Sequence, residues 1–276
     1  MTNPQQSEFW KTLIPGLSIE GPKSLIEPIF HTKQNLVRIA DHLQTQGYIY
    51  EQPLISKEIL DPLRDGILAL DQAGFPPVFI YLYDEAWNLF AKLSPLISYF
   101  LGDNFRLLPN FWAWNIPLNE GAAGWPPHRD CQAETRFKIG GKEEILMSLS
   151  LWIPLSDATK NNGCMYVLPR SSEDNYDPPL KEAAQINMDD AKALPAISGS
   201  VLGWPQDLFH WSGRVTRHAI NPRISMSLEF QNPAFTPLIE PLLDIHHPPV
   251  FSKRLELIKT QFPKYKHMEN LNFNLD

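Results

Sequence analysis

Leu146-Met147-Ser148-Leu149-Ser150-Leu151-Trp152-Ile153-Pro154-Leu155 is the stretch whose reading decides the fold class. Met147, Leu149, Leu151, Ile153 and Leu155 make one apolar set, and Ser148, Ser150 and Trp152 stand between them. Side chains that alternate in this way belong to a strand with two unlike faces. The same pattern returns in 223–231, where Ile224, Met226, Leu228 and Phe230 oppose Arg223, Ser225, Ser227, Glu229 and Gln231. It is present again in 111–118, with Trp112, Trp114, Ile116 and Leu118 on one face and Phe111, Ala113 and Asn115 on the other. From about residue 105 onward, short runs of this kind are separated by Pro, Gly, Asn and Asp, the texture of a β-sandwich or barrel. One face of each strand packs outward against a second layer, and the other can line a polar cavity.

Upstream the texture is helical. Apolar residues recur at helical spacing in 35–46 and 57–73, with a short extended piece at 47–52 between them, and 84–101 continues the pattern. Beyond the strands come a Pro-rich passage at 233–249, a helix at 252–261 and a polar tail. No internal repeat is visible, and the 26 prolines are scattered through loops instead of gathered into a linker. The expectation is one domain over 1–276: a helical N-terminal layer at 1–104, a β core at 105–232 and a C-terminal extension at 233–276.

At 276 residues the chain is long enough to bury a substantial core. Its net charge of −7 and its scattered basic residues argue against nucleic acid, whose phosphates are bound by clustered Lys and Arg. No apolar run approaches the roughly 20 residues that span a bilayer, and the N-terminus lacks a charged region followed by an apolar one. The expected location is the cytoplasm, with no membrane partner and an oligomeric state left open. Cys131 and Cys164 are too few for a disulfide framework. Thiolate suits zinc or copper(I) better than Fe(II), so both are read as structural or incidental.

Chemistry concentrates in His128-Arg129-Asp130 and in the more distant His210. On an extended backbone residues i and i+2 point the same way, so His128 and Asp130 can reach one ion while Arg129 turns aside. The loop 121–127, with two glycines and two prolines, delivers the chain there. Two imidazoles and one carboxylate hold Fe(II) while leaving positions open, whereas a structural zinc site closes all four. His218 is the rival third ligand, but it stands in the loop 214–222, too close to Arg223 to cross to a neighbouring strand and return. His31, His42, His246, His247 and His267 lie in helical or tail segments without partners at ligand spacing.

Arg223 and Ser225 share a strand face, which offers a carboxylate a fixed guanidinium fork and a hydroxyl. The plain alternative is a salt bridge from Arg223 to Glu229 or Asp207. If the cavity holds a metal, 2-oxoglutarate fits both groups, its keto acid on the ion and its far carboxylate on Arg223.

The ordered set of motifs resembles the phytanoyl-CoA dioxygenase-like (PhyH) family of Fe(II)/2-oxoglutarate-dependent oxygenases. It runs from Leu43-Gln44-Thr45-Gln46-Gly47-Tyr48 through His128 to Asp130, then Ser150-Leu151-Trp152-Ile153-Pro154-Leu155-Ser156-Asp157-Ala158 and Asn162-Gly163-Cys164-Met165-Tyr166-Val167-Leu168-Pro169. It closes with Gly199-Ser200-Val201, His210-Trp211-Ser212-Gly213 and Arg223-Ile224-Ser225, and so covers roughly residues 40 to 232. The resemblance implies a mainly β fold with helices, a double-stranded β-helix (jelly roll, cupin-like) whose larger sheet carries the helical layer. It implies Fe(II) bound by His128, Asp130 and His210, with 2-oxoglutarate as co-substrate held by Arg223 and Ser225, and O2 as oxidant. Asn115 and Trp152, taken as facing the lumen, become candidates for co-substrate or substrate contact. The implied reaction is hydroxylation with release of succinate and CO2, since Asp130 is not the Gly or Ala that frees a site for chloride. Desaturation or ring chemistry is the alternative outcome.

Two departures limit what carries over. Arg170-Ser171-Ser172 stands where the family often has Gly-Ser-His, and Arg214-Val215 replaces a common Asn. The resemblance therefore transfers the iron chemistry and no particular substrate, acyl-CoA included. Aromatic residues near the site, among them Phe111, Trp112, Trp114, Trp125, Trp152, Trp204 and Trp211, suit an apolar or amino-acid-derived small molecule. The polar insert 131–144 is the candidate lid. Two other classes stand beside it: a non-catalytic ligand-binding protein on the same barrel, and a kinase, since His-Arg-Asp opens a kinase catalytic loop. The kinase reading fails because Cys131 and Thr135 stand where that loop needs Leu and Asn.

Overall fold

The computed structural model describes residues 3–21, 25–139 and 143–265. Helix α1 (Ser7–Leu13) is followed by α2 (Lys33–Gln46), whose start is capped by the Thr32 hydroxyl accepting from the Asn35 N–H at 3.2 Å. Gly47 ends α2 in a left-handed conformation, φ 86°, which a side chain would strain, and turns the chain into β1 (Ile49–Glu51). Next come α3 (Lys57–Gln72), a buried 3-10 segment at Pro77–Leu82, α4 (Asp84–Ala91) and α5 (Ser94–Leu101). The continuous helix expected over 84–101 is thus two, the second carrying Pro95 in its first turn, where a missing N–H does no harm.

The strands are β2 (Arg106–Ile116), β3 (Arg136–Ile139), β4 (Glu143–Leu146), β5 (Ser148–Pro154) and β6 (Met165–Val167). A short α6 (Arg170–Glu173) precedes β7 (Lys192–Leu194), β8 (Val201–Trp204), β9 (His210–Ser212) and β10 (Arg223–Gln231), and α7 (Phe251–Gln261) follows. They build a five-stranded sheet in the order β1-β8-β5-β10-β2, a three-stranded sheet β7-β6-β9 and the ribbon β3-β4, with antiparallel pairing throughout. Helix is as prominent as strand, so the expectation of a mainly β chain was too narrow: the fold is mixed helix and antiparallel sheet. The insert 131–144 carries β3 and the start of β4; residues 140–142, the tail beyond 265 and His267 lie outside the described residues.

Register sorts the large sheet into two faces. Leu149, Leu151, Ile153, Ile224, Met226, Leu228 and Phe230 join one apolar cluster with Leu60, Leu63, Phe79, Trp87, Leu96 and Leu257 of the helical side. Tyr81, on the 3-10 segment, stitches this layer down by donating to Ser227 O at 2.7 Å. The other face reads in cross-strand rows: Trp204–Ser150–Glu229, then Leu202–Trp152–Ser227–Trp112, then Pro154–Ser225–Trp114, then Arg223–Ile116. That face looks toward the small sheet across a cavity. Among the described residues no helix is long and apolar enough to cross a membrane.

Candidate metal centre

His210 opens β9, and its backbone pairs with that of His128, the two N–H groups donating reciprocally at 3.0 and 3.1 Å. His128 and Asp130 lie in an extended loop with this single bridge, not in the regular strand that the sequence suggested. The bridge is what brings the two imidazoles together, with ring centroids 4.4 Å apart. His128, Asp130 and His210 form a cluster whose ligand atoms all lie within 4.8 Å of one another, and among the described residues this grouping includes no cysteine. Cys131 instead gives its N–H to Gln206 O.

The hydrogen bonds prepare these groups for a cation. Nδ1 of His128 donates to Pro126 O at 2.8 Å and Nδ1 of His210 donates to Leu208 O at 3.0 Å, which leaves both Nε2 lone pairs directed at Asp130. Oδ1 of Asp130 lies 3.3 Å from Nε2 of His128 and 3.6 Å from Nε2 of His210, and Oδ2 accepts from the Ser150 hydroxyl at 3.0 Å. Burial resists ionisation of Asp130, yet His210 and His128 overcome it and hold the carboxyl down at about 2. Burial lowers His210 to about 4, with Asp130 opposing. Burial also works against protonated His128, but there the hydrogen bond and charge of Asp130 win and the ring binds its proton more tightly than usual. An ionised carboxylate and a neutral imidazole near neutral pH are the states a metal needs. The donor set fits a divalent ion with open positions.

The cavity beside the cluster encloses about 50 Å³ and is lined by residues of both sheets, including Trp114, Trp152, Met165, Ser212, Arg223 and Glu229. Trp125 stacks on His128 and Trp204 lies against His210, so the ligands are walled by indoles. Arg223, only 1% exposed, gives Nη2 to the Ser212 hydroxyl at 3.1 Å and Nη1 to the Ser225 hydroxyl at 3.4 Å. Its guanidinium carbon stands 5.6 Å from the Trp152 ring, and its Nε has no partner. Burial lowers its affinity for a proton, to about 10. Gly124 permits this closeness, since a Cβ there would stand 3.2 Å from both Arg223 Nη2 and Ser212 Cβ.

Neither carboxylate considered as a partner for Arg223 is one. Asp207 binds Thr135 and Arg136, and Glu229 accepts from Asn110 and Gln206. Buried Glu229 is pushed well above the usual carboxylate range by burial and by Asp130's charge.

Of the residues expected at the site, the structure places His128, Asp130, His210, Arg223, Ser225 and Trp152 together. Asn115 is a correction: it pairs with Ile224, so it shares the helical-layer face, and Trp114, opposite Ser225, takes the cavity position. Alternation identified the two faces of 111–118, but the aromatic face was mistaken for the outer one. His218 is exposed and touches Arg217, while Arg129 turns away from the cluster, pairs with Glu173 and lies over the Phe209 ring. Sequence reasoning missed Ser150, Ser212 and Gly124 as site residues, and reached Trp114 only as one of several aromatic residues near the site. Ser212 was legible as the i+2 neighbour of His210, and Ser150 as that of Trp152.

Residues 85–220 match the phytanoyl-CoA dioxygenase (PhyH) family. No curated protein matches the chain in sequence. Among solved structures, the epimerase SnoN, in complex with Fe3+, alpha ketoglutarate and nogalamycin RO, aligns at a TM-score of 0.51 and 18% identity over 73% of this chain and 85% of its own. HygX from Streptomyces hygroscopicus, with nickel and 2-oxoglutarate bound, aligns at 0.51 and 17% over 75% and 89%. The non-heme monooxygenase ThoJ aligns at 0.56 and 14% over 83% and 96%. At these identities the likeness is one of fold.

Proposed function

We propose that this chain, whose residues 85–220 form a phytanoyl-CoA dioxygenase (PhyH) family domain, is an Fe(II)- and 2-oxoglutarate-dependent oxygenase that hydroxylates a small organic molecule with release of succinate and CO2. The observation that carries the reading is a pairing across one cavity: an open cluster of two imidazoles and a carboxylate, and a buried guanidinium with no carboxylate of its own. A buried unpaired cation is unfavourable unless a ligand completes it. A dicarboxylate with a keto acid at one end satisfies both groups at once.

His128, Asp130 and His210 would hold the iron, and Arg223, Ser225 and Ser212 the distal carboxylate of 2-oxoglutarate. Bound iron supplies the redox chemistry that couples oxidative decarboxylation of the keto acid to attack on a C–H bond. The protein's share is position and shelter. Carbonyls of Pro126 and Leu208 keep protons on Nδ1 of the two histidines, Ser150 fixes Asp130, and Trp125 and Trp204 keep water from the ligand rings. A carboxylate at 130 leaves no ligand position for a halide, which favours hydroxylation. SnoN, an epimerase of similar fold, supports a second outcome, in which the way the substrate is held selects desaturation, ring chemistry or epimerisation instead.

The two sheets facing each other across the cavity suit a double-stranded β-helix, and the shared apolar cluster of sheet and helices suits a single domain. Free Cys131 and Cys164, with an Fe(II) requirement, suit the cytoplasm. Under anaerobic conditions the chain with Fe(II) and 2-oxoglutarate should show a visible absorption band, and in air it should form succinate. His128→Ala and Asp130→Ala should abolish both. Absence of the band in the parent chain overturns the reading, and a band with no succinate on any compound favours a binding protein on the same fold.

A further inference from the structure

The floor of the cavity has two unlike ends. Glu229 shares its cross-strand row with Ser150 and Trp204, and Ser150 holds Asp130. Arg223 stands six residues earlier on β10, and its guanidinium reaches back to within 5.6 Å of the Trp152 ring, in the row next to that of Glu229. The ligand cluster therefore stands at the Glu229 end. A co-substrate reaching from the cluster to Arg223 leaves that end free.

Glu229 is 8% exposed and Gln206 3% exposed. Asn110 and Gln206 donate to the two oxygens of Glu229, which leaves roughly half of a carboxylate's four acceptor sites unfilled. Oε1 of Gln206, attached to the amide that holds Glu229, accepts nothing. Among the described residues Glu229 has no ion pair; the Lys264 ammonium is bonded to Asn110 Oδ1 at 2.7 Å, and Asn110 in turn donates to Glu229. The unfilled groups at this end are acceptors, and the Trp204 indole lines the same cavity across Ser150. Acceptors next to an indole face are the chemistry that recognises an ammonium group.

We propose that Glu229, Gln206 and Trp204 form the binding site for a protonated amine of the primary substrate. The assignment deepens the oxygenase reading and rests on it for the word substrate. Buried Glu229 lacks a counter-ion and holds its proton more tightly than an ordinary carboxylate; an ammonium beside it supplies that counter-ion and lets it ionise. If Glu229 served only to anchor Asn110 and Gln206, a neutral amide in its place would serve as well.

That difference is measurable. Butylamine, phenethylamine and tryptamine, each beside its N-acetyl derivative, are titrated by tryptophan fluorescence into the metal-free chain and into its anaerobic Fe(II)·2-oxoglutarate complex. The amines should bind about ten-fold more tightly than the amides. Glu229→Gln, checked for folding by its melting curve, should erase the preference, and Glu229→Asp should keep part of it. Equal affinities for amine and amide in the parent chain, or a preference that survives Glu229→Gln, overturns the proposal. The metal-free titration does not depend on iron. An amine preference without the absorption band defeats only the oxygenase reading, and a band without the preference defeats only this one.

Discussion

Among the described residues two arginines are almost wholly buried, one on each side of the large sheet, and their surroundings differ in kind. Arg254 of α7, 3% exposed, pairs with Asp84 at 2.7 Å, donates to Pro249 O and Leu82 O, and lies over the Trp87 ring. Arg223 of β10, 1% exposed, meets two hydroxyls, a thioether and an indole, and no carboxylate. Burying a charge is unfavourable in both places, and only on the helical side does the protein offset it internally. A satisfied buried charge belongs to the scaffold. An unsatisfied one points to a ligand that arrives later.

Removing each guanidinium should therefore move stability in opposite directions. Arg254→Met strips Asp84 of its partner and leaves the Leu82 and Pro249 carbonyls unfilled, and should destabilise the chain by about 3–5 kcal/mol. Arg223→Met removes an uncompensated cation from apolar surroundings, so the ligand-free protein should be as stable as the parent or more so, while 2-oxoglutarate binding measured by calorimetry is lost. Equal destabilisation in the two variants, read from urea unfolding curves, would erase the contrast. Retained 2-oxoglutarate affinity in Arg223→Met would break the assignment of that arginine.

Only one member of the pair was legible in the sequence. Arg223 lies in a strand whose alternation is unbroken over nine residues, so its face and its company with Ser225 follow from period 2 alone. Arg254 lies in a helix that was foreseen, but its acidic partner is Asp84, far away in the chain, and helical periodicity carries no information about that meeting. The same limit explains Asn115: alternation splits β2 into two faces without saying which one looks inward, and here the cavity takes the indole face. Strands β6, β7 and β9 have three residues each, too few to show a period. His210 follows from the exclusion of His218 and from the polar-faced strand that begins at Arg223, not from any period in its own strand. The reciprocal backbone bridge between His128 and His210, which assembles the cluster, has no sequence signature.

The contrast sharpens at the next level of support. On the helical side many contacts share the load, whereas Asp130 depends on one hydroxyl, Ser150. Ser150→Ala should leave the fold intact and weaken metal binding by about 10–100-fold, the usual effect of losing a group that orients a ligand. Competition of Fe(II) or Ni(II) with a chelator reads this directly. Unchanged metal affinity would mean that the two imidazoles position the carboxylate unaided.

The smallest effect tests whether the helical side is as self-sufficient as it looks. Tyr83 is buried there with its hydroxyl donating to Trp10 O at 2.8 Å, and burial, with Glu85's charge as a lesser cause, raises its phenol above the ordinary value near 10. As pH rises past about 10 the unfolded chain loses this proton first and the folded chain keeps it, so the folded state binds more protons. The stability tied to Tyr83 is therefore complete below about 10 and declines as pH climbs through the window above it. Tyr83→Phe should flatten that alkaline decline and, at neutral pH, cost about 1 kcal/mol for the lost hydrogen bond. Unfolding curves at pH 8 and pH 11 separate the two contributions. A variant that declines as steeply as the parent would show that the alkaline sensitivity arises elsewhere, and that the helical layer holds its buried phenol without thermodynamic consequence.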